Sequence, residues 1–262
     1  MRRINREPLK YELRQSIVKP WRLPRNMVLA AMGTFAGIGV GIIIHSFHRG
    51  LPYIAADVFV WTLATYNASQ LGSDSDRVLE YSKNKDGIKE LLIIKNLTLL
   101  IIALPIDTIL VIIACSILGD WSKFWESILL ATSAVIICLG LGNLVSVLWV
   151  YRPVSFLKMR KDRLLMYEYA IFIAISYVAA TLAIALAMIP GEIILKTVKI
   201  HTLHGAIIGI SIMIGWAIVL WILALIFADR LSNKYHDFFI NRLNGNKLVI
   251  KNPRMKKILK VT

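Results

Sequence analysis

Acidic side chains are scarce in this sequence. It has 16 Asp and Glu against 31 Lys and Arg, a formal net charge of +15 over 262 residues. Those few acids do not assemble a calcium loop: the stretch 74–90 lacks the alternating Asp positions and closing Glu that such a loop requires. Cysteine is nearly absent too. Cys115 and Cys138 both fall inside apolar runs, where they read as small buried hydrophobes rather than as a disulfide or a metal pair. No G-x-x-x-x-G-K-[ST] phosphate loop, H-E-x-x-H or G-x-S-x-G occurs, which removes the usual signatures of an ATPase, a zinc protease and a serine hydrolase. The chain is therefore expected to be neither an enzyme nor the holder of a cofactor or metal. The first 25 residues are basic and broken by Pro8, Pro20 and Pro24, with no compact apolar core of a cleavable signal.

What the sequence has in abundance is apolar length. Charged residues make up 18% of the chain, hydrophobic ones 57%, and the mean hydropathy is +0.63. A soluble domain of this size is not so greasy, so the class is an all-α polytopic membrane protein. A helix rising about 1.5 Å per residue needs about 20 apolar residues to cross a hydrocarbon core of roughly 30 Å. Segments 26–45, 97–118, 126–150, 168–190 and 205–228 meet this readily, and 51–70 meets it weakly because Asp57 and Asn67 interrupt it. Charge asymmetry decides the weak one. With six spans and both ends in the cytoplasm, 27 of the 31 Lys and Arg lie inside; without 51–70 the split becomes 11 inside against 20 outside. The positive-inside rule selects six transmembrane helices. Three parts follow: a cytoplasmic segment 1–25, a transmembrane domain 26–228 and a basic cytoplasmic tail 229–262. Within 9–23, Leu9, Leu13, Ile17 and Trp21 recur every four residues among basic side chains, the pattern of an interfacial helix on the inner, anionic surface of the bilayer. The basic tail carries no aromatic or motif signature of nucleic-acid binding.

Polar groups inside spans are costly and face the bundle interior or water. Asp57, Asn67, Asp107, Asn143 and Ser146 are the candidates for a pathway or for hydrogen bonds that hold the bundle. Asp107 follows Pro105 by two residues, where a proline frees a carbonyl and kinks the helix. Gly33, Gly37 and Gly41 form a doubled G-x-x-x-G, a face where another helix can approach closely. The pairs His45/His48 and His201/His204 have i, i+3 spacing on the outer side; two such pairs could hold a metal if they met in space, and histidines are also ordinary interfacial residues.

Between the second and third spans lies DRVLEYSKNKDGIKELLIIKN, 76–96, the least membrane-like stretch of the interior. Ile88, Leu91, Leu92 and Lys95 follow the i, i+3, i+4, i+7 spacing of a helix with one apolar face. A cytoplasmic helix of this kind is expected to be a docking element, its apolar stripe entering a partner groove and its charges setting register. The alternative is a solvated connector on the membrane.

This arrangement resembles the six-span permease subunits of type-2 ABC transporters, most of them exporters. The likeness rests on the interfacial helix at 9–23, on Asp74, Asp76, the GIKELL segment and Lys95-Asn96 in the loop, and on Gly142-Asn143-Leu144-Val145-Ser146 followed by Pro153. It covers about residues 9–228. It implies a coupling helix, Asp86, Ile88, Lys89, Glu90, Leu91 and Leu92, that docks on a separate ABC ATPase subunit, which would hold ATP and Mg. It further implies a second permease subunit, a plasma-membrane location and a re-entrant outer segment at 190–205. An ion-coupled transporter or channel using Asp107, and a non-transport immunity or assembly factor, are the competing expectations.

Overall fold

The computed structural model describes residues 60, 63–64, 67–72, 74–84, 86–119, 121, 124–151, 162–197 and 203–243. Among these the chain is helical apart from short connecting turns. A short helix α1 (Ser75–Tyr81) precedes four long ones, α2 (Gly87–Leu118), α3 (Phe124–Leu148), α4 (Arg163–Thr197) and α5 (Leu203–Lys234), and a short α6 (His236–Leu243) ends the series. The described residues between 60 and 72 are also helical.

Segments within α2 to α5 are long and apolar enough to cross a membrane: Gly87–Ile117, Phe124–Leu148, Arg163–Gly191 and Ile208–Lys234. They match the third to sixth runs of the sequence. The chain is thus a multi-pass membrane protein with at least four candidate spans. Span one, the interfacial helix at 9–23, Gly33, Gly37, Gly41, Asp57, His45, His48 and His201 lie outside the described residues. The flanks of the expected re-entrant segment are regular helix: residues 190–197 continue α4 with Pro190 inside it, and α5 begins at Leu203.

The long helices alternate in direction. At one end, Leu129 of α3, Ile194 of α4 and Met213 of α5 form a small apolar cluster. At the other, Ile88, Leu91 and Leu92 of α2 meet Val147 and Val150 at the end of α3 and Leu225 and Ala228 of α5. The latter is called the charged end, because the charges of 74–90 gather there. Gly119 closes α2 in the left-handed conformation (φ 66°), which glycine adopts without a Cβ penalty.

The main core lies midway, where Leu99, Ala103 and Leu110 of α2 meet residues 134–139 of α3, Ala180, Ala183 and Ala187 of α4 and Ala217 of α5. Helix α3 is the most buried of the four and packs chiefly on α5 and α4. Its approach to α5 depends on Gly140, where a Cβ would stand 3.0 Å from the Trp221 Cα and 3.1 Å from the Ala224 Cβ. Small residues at such crossings let helix backbones come close, which drives association where lipid supplies no hydrophobic force. By contrast α4 and α5 turn Tyr177, Val178, Leu182, Ile189, Ile212, Val219, Leu223 and Phe227 outward, the apolar girdle expected of a lipid-facing surface. Just past α3, Tyr151 stacks on Phe172 of α4, ring centroids 4.4 Å apart and 17° between planes.

Candidate functional site

The charged end is built as a hairpin. Helix α1 stops at Tyr81, and the turn is held by backbone bonds from Ser82 N to Val78 O (2.9 Å), Asn84 N to Tyr81 O (3.0 Å) and Gly87 N to Asn84 O (3.0 Å). Gly87 is required there: the Tyr81 carbonyl occupies the place a Cβ would take. The Lys95 ammonium meets the Asp74 carboxylate at 3.0 Å and ties the start of α1 to the third turn of α2. On the far side of α2, Lys89 and Asp86 lie within electrostatic reach of Asp229 on α5. Acidic Asp76, Glu80, Asp86 and Glu90 are exposed around this hairpin, with Lys83 and Asn84.

Two features differ from the sequence expectation. Glycine 87 opens α2 rather than a separate docking helix, so GIKELL is the first part of a 32-residue helix that continues into the membrane. The short free-standing helix of the loop is instead α1. The second difference is larger. The apolar stripe is not open to a partner: Leu91 and Leu92 are 0% exposed and Ile88 is 6% exposed. Its cover comes from the chain itself, from Val78 of α1, Leu225 and Ala228 of α5, and Phe239 and Leu243 of α6. An apolar face that would otherwise meet water is stabilised when the same chain offers a matching face, because about 25 cal/mol is gained per Å² removed from water. Of the six residues expected to couple, Asp86 and Glu90 are exposed and Lys89 is half-buried.

Phe239 and Leu243 lie in the segment that the sequence presents as a basic tail, 229–262. Residues 229–234 extend α5, and 236–243 form a helix that buries Phe239 and Leu243. The spacing Phe239, Leu243, one turn apart, was the available signal.

Deeper in, the structure gathers the polar residues 67, 143 and 146. The Asn67 amide donates to the Leu139 carbonyl (2.8 Å) and the Cys138 carbonyl (3.3 Å), and its side chain lies directly against Gly142. Gln70 Nε2 donates to Asn143 Oδ1 at 3.0 Å, and Ser146 Oγ to the Asn143 carbonyl at 2.9 Å. These bonds sew the segment 67–72 to α3, the bundle-holding role of intramembrane amides. Asn143 Nδ2, Asn67 Oδ1 and both polar atoms of the Asn96 amide are buried without a hydrogen-bond partner among the described residues. Asp107 stands apart from this layer, about three turns beyond Asn96 along α2, 2% exposed, with Oδ1 likewise unpartnered among the described residues. Pro105 sits inside a continuous α2, and Thr108 Oγ1 donates to the Leu104 carbonyl at 2.8 Å.

Comparison with protein families, with curated proteins and with solved structures gives no match.

Proposed function

We propose that the chain is a membrane-embedded permease subunit of an ATP-driven exporter, coupled at its charged end to a separate ATPase. The observation that carries this reading is the continuity of α2. One helix runs from the exposed Asp86 and Glu90 through the bundle core to Leu118. It is pinned to α1 by the Lys95–Asp74 pair and by the cluster around Leu91 and Leu92. A displacement applied to the α1–α2 hairpin is thereby delivered to the level of Asn96 and Asp107, which is what an ATPase-driven switch between two packings of a bundle needs. The docking surface in this reading is the exposed charged rim, Asp76, Glu80, Lys83, Asp86 and Glu90, and not the apolar stripe. Six spans, cytoplasmic termini, a plasma-membrane location and a second permease subunit belong to the same proposal. So does an amphipathic or peptide cargo, which suits a mostly apolar interior.

The test is co-purification. A tagged chain solubilised in mild detergent should carry an ATPase subunit with it, and Asp76→Lys with Glu80→Lys should release that subunit while leaving the chain's own amount and thermal unfolding unchanged. Recovery of folded chain with no ATPase in any detergent would refute the reading. The topology is tested separately: a single cysteine at Thr197 should label from outside the cell and one at Ser82 should not.

Asp107 favours a second reading, ion-coupled transport, because a carboxylate buried in a span with an unpartnered oxygen is a natural cation or proton site. Asp107→Asn discriminates. Transport lost with assembly intact supports ion coupling, whereas transport retained supports the ATP-driven reading.

A further inference from the structure

We infer that the turn between α2 and α3 is an interfacial anchor, with Trp121 and Trp125 lying in the phospholipid headgroup layer at the end of the bundle opposite the charged end. The helices it joins contain the span-capable segments Gly87–Ile117 and Phe124–Leu148, so the turn between them stands at a membrane surface. Trp121 is 51% and Trp125 65% exposed. Phe124, which opens α3, bridges them. Its ring centroid lies 5.6 Å from that of Trp121 and 5.2 Å from that of Trp125, the latter pair edge-on at 72°. Along α2 away from the turn the exposed side chains are aliphatic: Ile117, Ile112, Ile109 and Ile101. The inference holds whatever cargo or partner the bundle serves.

A third tryptophan supplies the contrast. Trp216 is also exposed, but it sits well inside the segment Ile208–Lys234 of α5, where hydrocarbon offers an indole N–H nothing to bond. The chain itself provides the acceptor: Pro190 has no N–H to give the Leu186 carbonyl, and Trp216 Nε1 donates to that oxygen at 3.1 Å. Among the described residues neither Trp121 nor Trp125 has such a bond, and their contacts are with rings. An exposed indole keeps its N–H satisfied without the protein where lipid oxygens or water accept it, and keeps its ring out of bulk water where acyl chains begin. The headgroup layer meets both needs. Around the turn the sequence carries Asp120, Lys123 and Glu126, more acid than base, so the attraction is to the interface itself and not to anionic lipid. At the charged end Tyr167 and Tyr235 are exposed as well, and about 24 residues, or ~36 Å of helix, separate Trp125 from Trp149. That spacing suits aromatic groups just outside each face of a hydrocarbon core of roughly 30 Å.

The test uses the full chain in phosphatidylcholine vesicles, with 5-fluorotryptophan in place of tryptophan. Each fluorine resonance is assigned from the one lost in Trp121→Phe, Trp125→Phe or Trp216→Phe, and depth is then read in the chain that keeps all its tryptophans. Three paramagnetic probes report it: phosphatidylcholine with a nitroxide on acyl carbon 5, the same lipid with the nitroxide on carbon 16, and a water-soluble gadolinium chelate. With no anionic lipid present, the carbon-5 nitroxide should speed relaxation of the Trp121 and Trp125 resonances at least threefold more than the carbon-16 one. For Trp216 the order should reverse. The inference is overturned if the chelate acts on Trp121 and Trp125 while neither lipid does, since the turn then stands in water. Stronger relaxation by the carbon-16 nitroxide overturns it as well, by placing the rings in hydrocarbon. So does insensitivity to all three probes, which means that protein covers them.

Discussion

Gly142→Ala is the sharpest probe of the contact between segment 67–72 and α3. A Cβ at position 142 would lie 2.7 Å from Asn67 Cγ and 2.9 Å from Asn67 Cβ, and would run into Nδ2. Rotating the amide away relieves only part of this, because the Asn67 Cβ moves only with its backbone. Either the segment shifts bodily or Asn67 surrenders its bonds to the Leu139 and Cys138 carbonyls. Forcing an extra methyl into a packed site costs about 1–3 kcal/mol. Interhelical hydrogen bonds within membranes average about 0.6 kcal/mol each. After subtracting the about 0.5–1 kcal/mol that a helical Gly→Ala gains, the expected destabilisation is about 1–4 kcal/mol, read by titrating the folded protein in mixed micelles with SDS and following Trp fluorescence. Gly191→Ala is the control: the nearest atom to its Cβ is the Met213 Cε at 3.6 Å, an ordinary contact, so replacing a helical glycine should raise stability by about 0.5–1 kcal/mol. Pairing Gly142→Ala with Asn67→Ala removes the amide clash and counts the lost bonds once, so the double variant should be at least about 1 kcal/mol more stable than the sum of the singles. Wild-type stability in Gly142→Ala, or strict additivity with Asn67→Ala, would refute the packing described.

Leu92→Ala should cost about 2–5 kcal/mol in the same titration, as a fully buried leucine does, while exposed Glu90→Ala should stay within about 0.5 kcal/mol; equal effects would mean the stripe is open after all. The Leu91→Asp, Leu92→Asp pair should lower the yield of monodisperse chain on size exclusion before any partner is present, because it buries unpaired charge inside the subunit. Gly87→Ala should loosen the α1–α2 turn by forcing the Tyr81 carbonyl away, seen as faster hydrogen exchange at the amides of positions 84 and 87. Asp74→Ala should cost no more than about 1 kcal/mol and lose its effect at high salt, since the Lys95–Asp74 pair is only partly buried.

The runs at 97–118, 126–150, 168–190 and 205–228 located four span-capable helices because length and hydropathy are local properties, and the structure places its helices over them. The helix ends were less legible. Nothing in the hydropathy of 87–96 separates a free amphipathic helix from the first turns of a long one, so α2 begins ten residues earlier than its apolar run. The periodicity of Ile88, Leu91 and Leu92 correctly marked one apolar face, but periodicity does not say what covers a face. Its cover sits some 150 residues away in a segment whose average polarity conceals Phe239 and Leu243. The pairing of Asn67 with the carbonyls of residues 138 and 139 was equally invisible, being set by how two helices meet rather than by either sequence.

The burial of α3 has a consequence for how the protein is made. By composition α3 is as good a membrane segment as α4 or α5, so the insertion machinery has reason to release it into lipid when it emerges. Yet its final neighbours α4 and α5 come later in the chain, and until they arrive Ser133, Asn143 and Ser146 face lipid or whatever precedes them. Segment 67–72 precedes α3 and already supplies partners for the Asn143 side chain and the carbonyls of 138 and 139. These amide contacts can therefore form before α4 and α5 are made. A nascent chain truncated before α4 and carrying Asn67→Leu should accordingly be cleared by membrane quality-control proteases faster than the same truncation with Asn67 intact.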